Sequence, residues 1–442
     1  MKHRSLRVIL ASLLVSASVL SLFACTTDGE NPPPQETTAA ETETAVPEVE
    51  AIDPADFGAA DITYDCEDGS ILSTYAAKSA ADFAGVIAHY EKEGYTTYSN
   101  TDMGGNLAAT YVKGDALAHI YYHPSNGELN VVLSDTAGGT LPPSTPAVTD
   151  GDYACTVMQM DDPDHVNGMC YVIQLKDGSY IVYDGGYDSQ TIKLERYIVE
   201  NYKGEGLPVV RAWVLTHSHN DHYPAFQKTV ARFRRSEKFK VEHIIVSPLN
   251  DENYTLNSEE SYFTGKFYED AAEFDGAKVV FAHTGMKFTF CNLDMEILYA
   301  PESYYKTTSE IGNFNNTSIV SRLYDANYSA LFTADVGIQG SDIIEALYGD
   351  YLKSDMCQIS HHGVEDVPLS FYEYVQASIL FYPCDKYLYD QTERHYEERK
   401  AMETWDCTKE ILIQGLGRYS RTWGTTFAAD APLSIPDYKS DN

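Results

Sequence analysis

Residues 213–226 read WVLTHSHNDHYPAF. Trp213 to Leu215 is an uncharged apolar run that reads as the end of a buried strand. It gives way within two residues to three histidines and an aspartate, His217, His219, Asp221 and His222. The whole chain has 13 histidines in 442 residues, so three within six positions is not background composition. In extended backbone, residues two apart project to the same side, and His217 and His219 can grip one ion together. The chain then turns, with Pro224 suited to the first turn of a helix. That turn can aim Asp221 and His222 at a second ion. Imidazole and carboxylate suit zinc or a similar divalent metal.

Working outward, strands and helices alternate from residue 153 onward. CYVIQL (170–175) and SYIVYDGG (179–186) predict a hairpin around Asp177-Gly178. VVRAWVLTHSH (209–219) is a strand running into the histidine loop, PAFQKTVARFRRS (224–236) is helical, and EHIIVSP (242–248) is again a strand. A β-rich middle follows, from KVVFAH (278–283) to YSALFTAD (328–335). Then come a helix around 341–348, the strand MCQIS (356–360), a helix near 368–377 and the strand SILFYP (378–383). Alternation broken by antiparallel hairpins predicts an α/β domain of two sheets sandwiched between helices.

The H-x-H-x-D-H motif at 217–222 resembles the metallo-β-lactamase superfamily, and the resemblance spans about 153 to 425. It implies an αββα sandwich. IVYDGG resembles the strand-end Asp-Gly-Gly that precedes the motif, which makes Asp184 a residue orienting the histidine loop. LFTAD resembles the strand-end aspartate shared by two metals, here Asp335. SHHG resembles the last histidine motif, with His362 as ligand and His361 facing substrate, or the two exchanged. The implied ligand set is His217, His219, Asp221, His222, Asp335 and His362, holding two divalent ions, zinc foremost. A water activated between them would attack, with Asp221 also guiding its proton.

One departure stands out. Many members carry a further histidine between the first motif and the shared aspartate. His243 and His283 fall in that interval, each read here as lying on a strand, and neither has the usual Gly-His-Thr context. NFNNTSIV (313–320) occupies the place instead, a pattern similar to the hydrolase domains of ComEC-type DNA-uptake channels and of bacterial phosphorylcholine esterases. Asn316 is the candidate for the vacant position, as a weak ligand or substrate contact. The same resemblance makes His395, in YDQTERHYEERK (389–400), a candidate contact for an anionic group. A redox variant of the fold usually carries Glu in place of the second histidine, so His219 favours hydrolysis.

The flanking sequence suggests where such an enzyme would work. Lys2, Arg4 and Arg7 precede an apolar run from Val8 to Ala24, the pattern of an export signal. It ends in Leu22-Phe23-Ala24-Cys25, which resembles the lipobox of bacterial lipoproteins and implies a lipid on Cys25. Residues 25–57 are rich in Thr, Pro, Glu and Ala and read as a solvated tether. A small α/β module is expected over 58–137, with a helix at 80–93 capped by Ser79 and strands at 107–112, 116–122 and 128–133. Its His89, His119 and His123 lack ligand-like spacing and are expected on the surface or half-buried, and the module reads as a binding or docking element of unknown ligand. A linker (138–152) leads to the main domain (153–430) and a short tail (431–442).

The formal charge of −35 repels polyanions at long range, which disfavours extended nucleic-acid binding but not one anionic ester at a locally cationic metal site. Seven cysteines besides Cys25 are scattered without a C-x-x-C pair, arguing against a cysteine zinc knot and for small core residues. The expected function is a lipid-anchored hydrolase on the outer face of the bacterial cytoplasmic membrane, acting on a phosphate ester or phosphodiester. A teichoic-acid decoration, a nucleotide or short DNA would suit that location. Lactone or carboxylic-ester hydrolysis, or a non-catalytic metal-binding lipoprotein, are the alternatives.

Overall fold

The computed structural model describes residues 49–435 apart from 67, 145–153, 203–204, 234–237, 248–257, 307–312, 365–366, 392–395 and 416–418. The expected export signal, Cys25, most of the tether, most of the linker and His395 therefore lie outside the described residues.

Two sheets stack face to face. The first runs, in spatial order, Lys278–Phe281, His243–Val246, Val209–Val214, Tyr180–Asp184, Cys170–Gln174, Thr156–Gln159 and Ser420–Thr422. The second runs Leu293–Tyr299 beside Lys287–Phe290, then Val320–Tyr324, Ser329–Phe332, Met356–Gln358, Ile379–Tyr382 and Glu410–Ile413. Both faces of each sheet are covered, which is why the strand sequences are apolar without alternation. In Tyr180–Asp184, Ile181 and Tyr183 point between the sheets, where Tyr183 stacks on Phe332 of the second sheet. Tyr180 and Val182 point outward, against Leu194 and Ile198 of helix Thr191–Glu200 and Phe226 of helix Pro224–Phe233. Helices Ile338–Tyr348 and Leu369–Val375 cover the second sheet in the same way. The result is the helix–sheet–sheet–helix sandwich that the strand pattern predicts.

Strands Tyr180–Asp184 and Val209–Val214 run parallel, as do Ser329–Phe332, Met356–Gln358 and Ile379–Tyr382. Their C-terminal ends deliver Asp184, Thr216, Asp335 and the 360–363 turn. The bond from Ile319 N to Thr216 O joins the two sheets at this site.

The N-terminal module is a six-stranded antiparallel sheet in the order Ile62–Asp65, Ser70–Tyr75, Glu128–Ser134, Ala116–His123, Asn106–Lys113 and Thr96–Met103. Ser79 and Asp82 form a reciprocal capping box that starts helix Ala80–Lys92. That helix buries Phe83, Val86 and Tyr90 against Tyr111, Ile120 and Val131 on one face of the sheet. The other face is used up on the sandwich: Leu72, Ala108, Tyr121 and Val132 share a core with Leu298, Tyr299 and Ile344. Residues 52–57, read from composition as tether, also belong to the module. Ile52 N donates to Gly85 O, and Asp53 caps the turn Pro54–Phe57.

This shared face corrects the expectation for two histidines. His119 and His123 are fully buried, because the surface that covers them comes from distant sequence. His119 bonds Thr110 Oγ1 and the Thr284 carbonyl at 2.9 Å each, and His123 bonds Asn106 Oδ1. His283 is likewise not on a strand but just past Lys278–Phe281. It sits buried with Nε2 3.1 Å from Asp68 Oδ2 and Nδ1 3.6 Å from Glu302 Oε1, an ion cluster across the seam. Among the described residues the seven cysteines are free thiols, all buried except the half-buried Cys407.

The seam cluster yields a pH prediction. Burial opposes a charged imidazole, but Asp68 and Glu302 together lift His283 to about 10. A proton retained in the folded state and lost from the unfolded one at about 6.5 stabilises fully below that value. The contribution should fall as pH rises from about 6.5 toward 10, by an amount on the order of a few kcal/mol. Urea denaturation of wild type and His283→Gln across that range checks it: the gap between them should narrow with rising pH.

Candidate metal centre

The run 217–222 is a loop whose turn is closed by His222 N and Tyr223 N, both donating to His219 O. His222 and Asp335 are fully buried, His217 nearly so, and His219 is half-exposed beside the Phe314 ring, 5.0 Å away. Two ligand clusters result. Asp221, His222, Asp335 and His362 each bring one ligand atom within 4.8 Å of the others, and so do His217, His219 and Asp335. Asp335 belongs to both.

The donor atoms are aimed rather than merely close. His222 Nδ1–H donates to Asp184 Oδ2 at 2.8 Å and His362 Nδ1–H to the Pro383 carbonyl at 2.7 Å. Thr216 Oγ1–H is directed to Asp184 Oδ2, leaving that hydroxyl to accept from His217 Nδ1–H at 3.2 Å. Each ring therefore has its Nδ1 tied back and its Nε2 turned inward. His217 Nε2, His222 Nε2, His362 Nε2 and both Asp335 oxygens are buried and make no well-aligned hydrogen bond among the described residues, although His222 Nε2 stands 3.0 Å from Asp335 Oδ2 and His362 Nε2 3.0 Å from Asp221 Oδ2. Five such atoms converging on one point would be costly unless a cation took them up, and imidazole plus carboxylate is the donor set of zinc-like ions. The residues fit the metals that the motif implies. His222 and His362 hold the Asp335 carboxyl well below its ordinary range, although burial opposes this.

Backbone strain gathers at the same place. Seven non-glycine residues have positive φ among the described ones, and four of them are Asp184, Ala334, His361 and His362. Each such residue costs on the order of 1–3 kcal/mol, so the surrounding contacts must impose it. Gln358 supplies many of those contacts: its Oε1 accepts from Thr333 N and Ala334 N, and its Nε2 donates to Ala334 O and Ile359 O. This buried amide ties the segment before Asp335 to the segment before His361. The sequence gives no sign of it, since glutamine within MCQIS reads as an ordinary strand residue.

Asp184, His361 and all six expected ligands, Asp221 among them, come together. Within SHHG the geometry separates the two histidines. His362 Nε2 lies 3.0 Å from Asp221 Oδ2 and 3.4 Å from Asp335 Oδ2, while the partly exposed His361 lies 3.8 Å from Asp335 at the rim.

Asn316 is a correction. Its Oδ1 accepts from Gly337 N and Gly340 N, and its Nδ2 donates to Gln339 Oε1, so the amide is spent on the start of helix Ile338–Tyr348 and cannot ligate. The neighbouring Asn315 faces the site instead, with Nδ2 3.3 Å from His361 Nδ1 and a buried Oδ1 that meets no partner among the described residues. A one-residue difference in this short turn, Phe314–Thr317, reverses the side-chain direction, and sequence alone does not fix it. Asn316→Ala should leave two backbone N–H groups buried and unmet, costing about 2–4 kcal/mol. Metal content should be unchanged, and denaturation with elemental analysis of the same sample checks both.

Residues 163–234 match the model of the Metallo-beta-lactamase superfamily, a stretch that carries Asp184 and the whole 217–222 motif. The mixed α/β architecture of several sheets is consistent with a metallo-β-lactamase fold. No curated protein matches the sequence. Among solved structures, the metallo-beta-lactamase fold protein YhfI from Bacillus subtilis is similar at 14% identity and a TM-score of 0.32, over 52% of this chain and 85% of that one. Zn(2+)-bound PqqB from Methylobacterium extorquens is similar at 13% identity and 0.29, over 45% and 62%. CmlA, a diiron beta-hydroxylase from Streptomyces venezuelae, is similar at 13% and 0.30, over 63% and 46%. The last two are covered over less than two thirds of their own length.

Proposed function

We propose that this chain is an exported, lipid-anchored hydrolase that uses two divalent metal ions, zinc foremost, to cleave phosphate esters or phosphodiesters. The observation that carries the reading is the double membership of Asp335 in two adjoining ligand clusters. A structural zinc site is closed and needs neither a second cluster nor a shared carboxylate. His217 and His219 would hold one ion, and Asp221, His222 and His362 the other, with Asp335 common to both. Ions bound there lower the pKa of water toward neutrality and neutralise charge on the attacked oxygen.

The chain's own groups do the rest. Asp184 and Pro383 O fix the rings of His222 and His362 by accepting their Nδ1 protons. Asp221 Oδ1, 3.9 Å from His222 Nε2, would hold the proton released by the attacking water and pass it to the leaving group. His361 and Asn315 form the rim beside Asp335 and would donate to substrate oxygens, which favours an anionic phosphoryl group. Asn315 stands within NFNNTSIV (313–320), and the resemblance of that pattern to ComEC-type and phosphorylcholine-esterase domains supports a phosphodiesterase-like rather than a lactamase-like reaction. Residues 1–25 support export and lipidation through their charge and apolar pattern alone.

Purified protein loaded with zinc or manganese is expected to turn over bis-p-nitrophenyl phosphate, and His219→Ala to abolish it. Turnover of a lactone panel without phosphodiester cleavage would overturn the substrate class. Bound metal with no turnover of either would leave a binding lipoprotein.

A further inference from the structure

Segment 161–169, which carries no motif, closes the cage from one side. Asn167 Nδ2 donates to Asp221 Oδ2 at 2.6 Å, and Asn167 Oδ1 accepts from the Tyr187 hydroxyl at 3.1 Å. The first contact orients the amide, since turning it over would set oxygen against carboxylate. The second holds it there. Tyr187 is in turn held by a ring stack on His165, 3.8 Å away and 12° from parallel, while His165 Nδ1 donates to the buried Asp162 at 2.9 Å. The backbone of the same stretch joins in: Met169 N donates to the Asp221 carbonyl. Asn167 also forms an isolated antiparallel bridge with Cys384, next to the Pro383 carbonyl that fixes His362. Residue 167 thus bonds Asp221 directly and adjoins the strand end that fixes His362, two members of one cluster, and no hydrogen bond joins it to His217 or His219 among the described residues.

We infer that Asn167, held by Tyr187, is a positioning residue that sets the Asp221 carboxylate for the Asp221–His222–Asp335–His362 cluster. This rests on the reading that the cluster holds a metal. A carboxylate free to turn offers either oxygen in either orientation, whereas a bond to one oxygen fixes which lone pairs face the ion. Hydrogen-bonding partners of this kind are typically worth about 10–100-fold in metal affinity. The effect should fall on one of the two ions alone.

The test is a cobalt(II) titration of the full, chelator-stripped protein, followed by calorimetry and by visible absorption. Wild type is expected to show two binding events. In Asn167→Ala one event should weaken by about 10–100-fold with a changed cobalt spectrum, and the other should stay as it was. Tyr187→Phe, which keeps the amide but frees its orientation, should weaken the same event to a smaller degree. Two unchanged events in both variants, or equal weakening of the two, overturns the inference while the two-metal reading stands. A wild-type protein that takes up no cobalt overturns both.

Discussion

Asp335→Ala is expected to lose both metals at once and to lower hydrolysis by more than about 10³-fold, because the carboxylate is the one group common to both clusters. The comparison variants sharpen this. His219→Ala and His362→Ala each remove a member of one cluster only, so each should retain one ion at reduced affinity. Elemental analysis of the three proteins after identical loading gives stoichiometries near zero, one and one, against two for wild type. The alanine change should not unfold the chain by itself. It deletes a buried anion, but the Thr333, Ala334 and Gln358 contacts that position the segment belong to its neighbours. Retention of two ions by Asp335→Ala would show that the carboxylate is not shared.

Asp184→Asn has the second large effect, and it acts through a proton. Asp184 is fully buried; burial pushes its carboxyl upward, while donors from His222 and Thr216 oppose this. Asp184 Oδ1 accepts from Thr216 N and Oδ2 from both Thr216 Oγ1 and His222 Nδ1. Asparagine preserves the volume and tolerates the positive φ of 52° at this position, which alanine would not do as well. Yet it has only one acceptor oxygen. With Thr216 N holding that oxygen, the amide NH₂ faces His222 Nδ1 and selects the tautomer protonated on Nε2. The proton then points into the cage where a lone pair is needed. Affinity at the His222 cluster should drop by about 10–100-fold, with the His217–His219 cluster less affected. Nitrogen-15 shifts of the His222 ring in the metal-free protein read the tautomer directly. Nδ1 protonated in both proteins would contradict the prediction.

Much of this was legible in the sequence, for a physical reason that differs by residue. The motif 217–222 is readable because all its ligands lie on one loop, where extended backbone and a turn decide which way side chains project. Asp335 and His362 are readable only by resemblance, since a strand-end aspartate or a His-His pair alone has many meanings. Asn167 and Gln358 are not readable at all. Their amides work through partners 54 and 24 residues away, and composition does not register such pairs. The reversal between Asn315 and Asn316 and the burial of His119 and His123 have a common cause. Each depends on a surface supplied by distant chain, the start of helix Ile338–Tyr348 in one case and the seam with the sandwich in the other.

The most direct measurement is anomalous X-ray scattering from crystals of the zinc-loaded protein, recorded on either side of the zinc edge. Two peaks are expected, one beside His217 and His219 and the other beside Asp221, His222 and His362, with Asp335 between them. A single peak that excludes Asp335, or zinc bound only outside the 217–222 loop, would contradict the two-ion centre and leave the proposed hydrolysis without its reagent.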